Sequence, residues 1–213
     1  YEYVKTEEKK MKAGEDSIFR FGKPTQKSYP LRGFCSAAVR SLINFRESII
    51  QQEAAECAKL TNSATQLVKK LKKITAISNT ESNAEVHQRI GQNAYRSVLL
   101  EIYHNRCCVC GLNIKEVLRA SHILPWAESK PNRLNPENGL CLSATYDAAF
   151  DKYLISFDDD YRMIVSPYIR DFYTNDAAKE YFERYEGKQI ELPYKFSPKK
   201  LFLSKHREKV IGI

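Results

Sequence analysis

Apolar residues recur at helical spacing over residues 35–75 of the chain. This pattern predicts a long helix or a helical hairpin, with the polar pair Asn62-Ser63 as the expected break between two helices. A second apolar stripe predicts another helix over about 85–104. The charged stretch at 7–12 is expected to be solvated. The first part of the chain is therefore expected to be mostly helical.

Beyond residue 105 the hydrophobic pattern changes from long helical stripes to short runs. Residues 117–123 are typical of a strand with polar residues near its end, and 140–142 form a second short apolar strand. A helix over about 144–152 follows, and then a small β element near 153–166. The expected fold class is α+β, with a compact ββα core that helices support on both sides.

Two regions follow from these patterns. Residues 78–83 are polar and contain no large apolar side chain, so they are expected to form a linker. The division expected from this linker is an N-terminal region, 1–84, that recognises a target or forms a dimer, and a main domain, 85–213.

Composition narrows the class of protein. A chain of 213 residues with 43% hydrophobic residues is long enough for one cored domain and a small appendage. It contains no apolar run near the roughly 18 residues of a membrane span, and it begins without the hydrophobic stretch of a signal peptide. We therefore expect a cytoplasmic protein without a membrane partner. The net charge of +8 suits a polyanionic partner such as a nucleic acid.

The cysteines offer one metal-binding hypothesis. Cys107-x-x-Cys110 has the spacing of half a zinc knuckle, but no second close pair of Cys or His follows it. The interpretation as small buried side chains beside a turn is favoured, and structural Zn²⁺ is disfavoured.

The densest chemical signal lies between residues 106 and 156. His122 stands at the end of the first predicted strand, and Asn138 comes just before the second. Asp147 and Asp151 are four residues apart on the polar face of the following helix. A neutral imidazole can take a proton from water, and carboxylates can hold a hard divalent cation. Together these groups suit metal-assisted hydrolysis of a phosphodiester.

The order of these groups resembles the HNH endonuclease family, the ββα-metal nucleases of bacterial restriction-type proteins. The resemblance covers about 85–213 and is most specific over 106–157. The segments that carry it are Arg106-Cys107-Cys108-Val109-Cys110-Gly111, Ala120-Ser121-His122-Ile123-Leu124-Pro125-Trp126, Arg133-Leu134-Asn135-Pro136-Glu137-Asn138-Gly139-Leu140-Cys141-Leu142, Tyr146-Asp147-Ala148-Ala149-Phe150-Asp151 and Leu154-Ile155-Ser156-Phe157.

The resemblance implies a role for each motif residue. His122 would be the general base that activates the attacking water. Asn138 would fix the loop and help to orient the imidazole or a metal-bound water. Tyr146 stands where the family usually has its last His. Its phenol would either contact the scissile phosphate or a metal water in an active variant, or mark a degenerate site that only binds DNA. The active variant is favoured because His122, Asn138 and the acids are all present.

The resemblance also implies one divalent cation, Mg²⁺ or Mn²⁺. Many family members have Asp directly before the first His, whereas this chain has Ser121, which supplies no charge. Asp147 is the first candidate ligand. Asp151 is the second, and a solvent-facing acid at a helix end explains Asp151 equally well.

The implied function is endonucleolytic hydrolysis of double-stranded DNA, in restriction or defence against foreign or modified DNA. Cutting two strands requires two sites, so a homodimer is one arrangement that the sequence allows. A catalytically degenerate ββα module that binds DNA is the alternative, and an RNA substrate stays open. The basic residues that could contact phosphates, or could simply be solvated, are Arg133, Lys69, Lys70, Lys72 and Lys73.

Overall fold

The computed structural model describes residues 1–20, 24–76, 84–210 and 212. The polar stretch 78–83, which the sequence predicts to be a linker, lies outside the described residues. The chain divides into two compact units, 1–49 and 50–213.

Most of the described residues are helical. The helices are α1 (Glu2–Lys12), α2 (Ser28–Leu31), α3 (Phe34–Leu60), α4 (Ala64–Ala76), α5 (Ala84–Ile102), α6 (Ala144–Asp151), α7 (Pro167–Arg170), α8 (Asp176–Tyr181) and α9 (Lys200–Arg207). The predicted break between two helices at Asn62-Ser63 is confirmed, because it falls between α3 and α4. None of the helices in the described part of the chain is long and apolar enough to cross a membrane.

The strands form two small antiparallel sheets. In the first, β1 (Leu118–His122) pairs with β2 (Gly139–Ser143), and His122 lies opposite Gly139. In the second, β3 (Ile155–Phe157) pairs with β4 (Met163–Val165), as expected for the small β element. Since β1, β2 and α6 follow one another as predicted, the α+β fold with a ββα core is confirmed.

In the N-terminal unit, two acidic residues of α1 are buried rather than solvated. Glu7 accepts hydrogen bonds from Lys10 and from the backbone N–H of Ile18. Glu8 accepts one from the backbone N–H of Ser36 in the first turn of α3. The expectation of a solvated charged stretch is therefore wrong for this pair, because backbone N–H groups satisfy both buried carboxylates, and the N–H that Glu8 uses is free at the start of a helix.

In the C-terminal unit, α5 is the central support of the ββα core. Its side chains Val98, Leu99 and Ile102 are fully buried, and the helix contacts both β1 and β2. Burial of each such side chain contributes roughly 1.5–3 kcal/mol. On another side α5 packs against α4, whose Leu67 and Leu71 belong to the same core. Helix α4, which lies within the region 1–84 of the sequence interpretation, thus packs with the C-terminal unit.

A buried histidine ties the C-terminal helix to this core. The Nε2–H of His206 donates to the backbone oxygen of Phe150 at 3.1 Å, and Nδ1 accepts from the Ser156 hydroxyl at 3.0 Å. The imidazole is stacked on the Phe150 ring with the centroids 3.7 Å apart. Burial disfavours the charged ring and lowers the pKa of His206 to about 4, although the hydrogen bond to the Phe150 oxygen opposes this in part.

We expect this histidine to make stability depend on pH. The pKa of His206 is lower in the folded chain than in the unfolded chain, so the unfolded chain takes up the proton first as the pH falls. The stabilisation is complete above the unfolded pKa and is lost as the pH falls towards the folded one. Between pH 7 and pH 5 the free energy of unfolding should drop by about 2 kcal/mol.

Urea unfolding of the wild type and of His206→Gln at both pH values measures this effect. The variant should be less stable at pH 7 but should lack this part of the pH dependence. An equal drop in both proteins would contradict the assignment.

Candidate active site

A cleft opens beside the end of β1, between α5 and α6. Its volume is about 590 Å³, and the residues that line it include Arg96, Arg119, Ser121, His122, Asp147 and Asp151. We call it the β1 cleft. Since β1, α5 and α6 each contribute charged or polar side chains, the cleft gathers groups that are far apart in sequence.

His122 lies at the end of β1 between two aromatic rings. It is stacked on Tyr95 of α5 with the ring centroids 4.1 Å apart, and the Trp126 ring meets it edge-on at 5.3 Å. Its Nε2 lies 2.9 Å from the backbone oxygen of Arg133. A carbonyl oxygen can only accept, so Nε2 carries the proton and Nδ1 is the free basic nitrogen of the neutral ring.

The electrostatics of His122 favour that neutral form. Burial between the rings lowers the pKa of the imidazole, and the hydrogen bond to the Arg133 oxygen opposes this only in part. At neutral pH the imidazole is therefore unprotonated at Nδ1 and able to accept a proton.

Asn138 is fully buried and ties the loop back to the end of β1. Its Oδ1 accepts from the backbone N–H of Leu124 at 2.8 Å, and its Nδ2 donates to the backbone oxygens of Leu124 and Asn132. Its own backbone oxygen accepts from Ile123 at 3.0 Å. Because these bonds occupy the side-chain amide, Asn138 acts on the loop and not directly on the His122 imidazole.

The two acids of α6 face the same cleft as His122. The Ser121 hydroxyl donates to a carboxylate oxygen of Asp147. One turn later, the pKa of Asp151 is raised, first by partial loss of hydration and second by the charge of Asp147. Two carboxylates that repel each other beside a hydroxyl form a set of oxygen ligands that suits a hard divalent cation.

The protein supplies few ligands for that cation. Within the part of the chain that the structure describes, no three His, Cys, Asp or Glu side chains lie close enough to hold a metal ion together. A cation held by Ser121, Asp147 and Asp151 would therefore have to keep several of its waters, as Mg²⁺ commonly does.

Tyr146 lies outside the β1 cleft, which corrects the expectation that its phenol contacts phosphate or a metal water. Its side chain is buried, and its hydroxyl donates to the backbone oxygen of Tyr181 at 2.6 Å. The rings of Phe182 and Tyr185 meet it edge-on. Successive residues of a helix point about 100° apart, so Asp147 faces the cleft while Tyr146 packs on the other side.

The cysteine pair lies beside Tyr146. Cys110 and Tyr146 line a second pocket of about 570 Å³ together with Ser143. A hydrogen bond from the Cys110 thiol lowers the pKa of Cys107 to about 6. The described residues provide no third thiol, imidazole or carboxylate there that would complete a zinc site.

The basic residues named by the sequence fall into two groups. Arg133 donates to the backbone oxygen of Trp126 at 2.8 Å and lies over the indole ring. A separate groove of about 200 Å³ is lined by Lys72, Lys130 and Arg133 together with Trp126, which also lines the β1 cleft. The other lysines of α4 are exposed outside this groove, namely Lys69, Lys70 and Lys73. Of these, Lys70 also donates a hydrogen bond to the Thr61 hydroxyl.

The sequence analysis did not predict two of the residues that line the cleft. Arg96 and Arg119 both line the β1 cleft, although 22 residues separate Arg96 from the Leu118 oxygen that it contacts. The available signal was strand alternation, which places Arg119 on the same face as Ser121. For Arg96 the only signal was its position on the polar side of a helix.

The fold and the site define a class of protein. Two antiparallel strands followed by a helix, with an imidazole at the strand end and acids on the helix, form the ββα core that the sequence predicted. Residues 107–158 match the HNH endonuclease family. This match supports the family assignment that the sequence resemblance predicted, over the segment that it covers. A comparison with the curated proteins gave no match for the chain.

Proposed function

We propose that the protein is a metal-dependent endonuclease that hydrolyses phosphodiester bonds of double-stranded DNA. The observation that carries the proposal is the meeting of a neutral imidazole, His122, with the carboxylates of Asp147 and Asp151 in one cleft. A base and a cation site next to each other are the two elements that phosphodiester hydrolysis requires.

In this mechanism His122 takes a proton from the attacking water at Nδ1. The backbone oxygen of Arg133 holds Nε2–H, and the stacked Tyr95 ring fixes the plane of the imidazole. Protonation of Nδ1 makes the ring a cation, which the same carbonyl oxygen stabilises. Asn138 contributes by holding the loop that carries this oxygen.

Ser121, Asp147 and Asp151 would hold the divalent cation, either Mg²⁺ or Mn²⁺. When bound, such a cation stabilises the negative charge that develops on the phosphate and its leaving oxygen. Asp147 lies between the other two ligands, hydrogen-bonded to Ser121 and repelling Asp151, so it is the most important ligand of the set.

DNA would cross the cleft and continue over Trp126 into the groove of Lys72, Lys130 and Arg133. These three cations line one groove with the Trp126 ring, and such a surface suits phosphate binding. The proposed biological role is restriction of foreign or modified DNA, and a homodimer would supply the second site for the second strand.

A catalytically degenerate DNA-binding module is the second candidate, favoured by one observation. Ser121 is a neutral residue in a ligand set of only two carboxylates. A site that had lost one charged ligand could retain the basic groove and bind DNA without cutting it.

Metal titration of plasmid cleavage separates the two candidates. The wild type should nick supercoiled DNA with Mg²⁺ or Mn²⁺ and stop when EDTA is added. In Asp147→Asn, the metal concentration for half-maximal cleavage should rise about 100-fold, because an amide is a weaker ligand than a carboxylate. Asp171→Asn, which changes an exposed carboxylate outside the cleft, is the matched control and should leave this concentration unchanged.

Cleavage that persists in EDTA, or that responds equally to both substitutions, would contradict the metal site. DNA binding without cleavage at any metal concentration would favour the degenerate module.

A further inference from the structure

Arg96 and Arg119 meet at one backbone oxygen on the rim of the β1 cleft. Arg96 Nη1 lies 2.6 Å from the backbone oxygen of Leu118, and Arg119 Nη1 lies 2.9 Å from the same atom. The two guanidinium nitrogens are therefore no farther apart than the sum of these distances. Two positive charges at this separation repel each other, so it is unfavourable to hold both guanidinium groups at the same oxygen.

The charge of this pair is offset only in part. The other hydrogen bonds of the pair go to the backbone oxygens of Lys115 and Glu116, and no ion pair of Arg96 or Arg119 occurs among the described residues. Burial and the charge of Arg119 lower the pKa of Arg96, whereas the charges of Cys141 and Glu116 oppose this in part. Such a pair is stabilised when an anion binds, because the anion supplies the missing negative charge.

The backbone contacts orient the two guanidinium groups but do not use all of their donors. Each guanidinium carries five N–H groups. The hydrogen bonds to backbone oxygens use at most two of these five in each arginine. Arg96 is half-buried and Arg119 is exposed, so their remaining donors are available to a ligand in the cleft. The planar guanidinium fork matches the oxygens of a phosphate.

The position of the pair relative to the acids indicates which phosphate this would be. Arg119 and Ser121 lie two residues apart on the same face of β1, so their α-carbons are about 7 Å apart. Ser121 bonds to Asp147 at the proposed cation site. The Arg119 guanidinium reaches back to the Leu118 and Glu116 oxygens, towards the start of β1, so a phosphate bound there would be a different one from the phosphate at the cation site.

We propose that Arg96 and Arg119 bind the phosphate next to the scissile one and so position the DNA strand in the cleft. The inference rests on the proposed function for its choice of substrate. It assigns a phosphate-binding subsite to two residues outside the acid–base and cation sites. The pair would act on strand binding rather than on the chemical step.

The first test measures DNA binding in EDTA, where cleavage plays no part. A labelled duplex is titrated with the wild type, Arg119→Gln and Arg162→Gln at several salt concentrations. Arg162 is exposed immediately before β4, outside the cleft, so its substitution removes the same charge elsewhere. Arg119→Gln should weaken binding about tenfold and reduce the slope of log affinity against log salt by about one, whereas Arg162→Gln should change neither.

A second test locates the phosphate. After the cleavage position has been mapped, duplexes carrying a single neutral methylphosphonate are compared across that position. The neutral linkage next to the scissile phosphate should weaken wild-type binding by the same factor as Arg119→Gln, and the two changes together should cost no more than either alone. Arg96→Lys, which retains the charge but not the fork, should weaken binding without unfolding the protein.

Equal affinities and salt slopes for Arg119→Gln and Arg162→Gln would overturn the subsite, as would the absence of any DNA binding by the wild type. Cleavage that proceeds normally while Arg119 makes no contribution to binding would overturn the subsite alone. Binding that depends on Arg119 without cleavage under any metal would instead overturn the proposed nuclease and leave the subsite standing.

Discussion

Replacing His122 with Ala should reduce the rate of DNA cleavage about 1000-fold, as expected when a general base is lost. The imidazole has a free Nδ1 because the Arg133 oxygen fixes the proton on Nε2. Its pKa is lowered by burial, so the loss of the wild-type rate on acidification should have its midpoint below the ordinary histidine value. Measured kcat values between pH 5 and pH 8 check both statements.

Two further variants separate chemistry from structure. His122→Gln retains an amide donor near the Arg133 oxygen but cannot accept a proton at neutral pH, so it should be as inactive as His122→Ala while remaining folded. Tyr146→Phe is the matched control. It loses the bond to the Tyr181 oxygen and about 1 kcal/mol of stability, but its cleavage rate should stay within about threefold of wild type.

A large loss in Tyr146→Phe together with full activity in His122→Gln would reverse the roles assigned to the two residues. Retention of cleavage in His122→Ala would show that another group accepts the proton.

Gly139→Ala should lower the free energy of unfolding by about 3 kcal/mol, because a methyl group has no room there. A Cβ at this position would lie 2.1 Å from the Tyr95 hydroxyl oxygen and 2.6 Å from a Leu99 methyl carbon. Both side chains are almost fully buried. Since Tyr95 is stacked on His122, any shift of the phenol also disturbs the proposed base, so cleavage should fall as well.

Chemical denaturation of three variants measures this crowding. Gly91→Ala is the matched control, since its added Cβ would come no closer than 3.4 Å to Trp126 and Ala favours the helix by about 1 kcal/mol. Tyr95→Phe combined with Gly139→Ala removes the closest clash and should recover part of the loss. An unfolding midpoint for Gly139→Ala equal to that of Gly91→Ala would contradict the steric explanation.

The structural reason for the glycine at position 139 differs from the one that the neighbouring residues indicate. The pair Asn138-Gly139 is typical of a tight turn. In the structure Gly139 has φ −145, which is ordinary extended backbone, and it begins β2. Glycine is required here because Tyr95 of another element occupies the space of a side chain, and that contact is invisible in the local sequence.

In the candidate site, too, some placements follow from the local sequence and others depend on how the elements pack. The sequence located His122 at a strand end and two acids on one side of a helix, because these depend on short-range periodicity. It expected Tyr146 at the reacting centre, since motif spacing alone does not specify which face of α6 docks against β1. One residue along the helix changes the direction by about 100°, so the docking decides between Tyr146 and Asp147.

The sequence by itself determined the order of the elements, the α+β class and the HNH family of residues 107–158. These features depend on the periodicity of hydrophobic residues and on motifs whose residues lie close together along the chain. Only the tertiary structure decided that Arg96 and Arg119 share one carbonyl oxygen. It also decided that Tyr95 supports the imidazole of His122. Such contacts join different elements, and their formation depends on how whole helices and strands pack together rather than on any local preference.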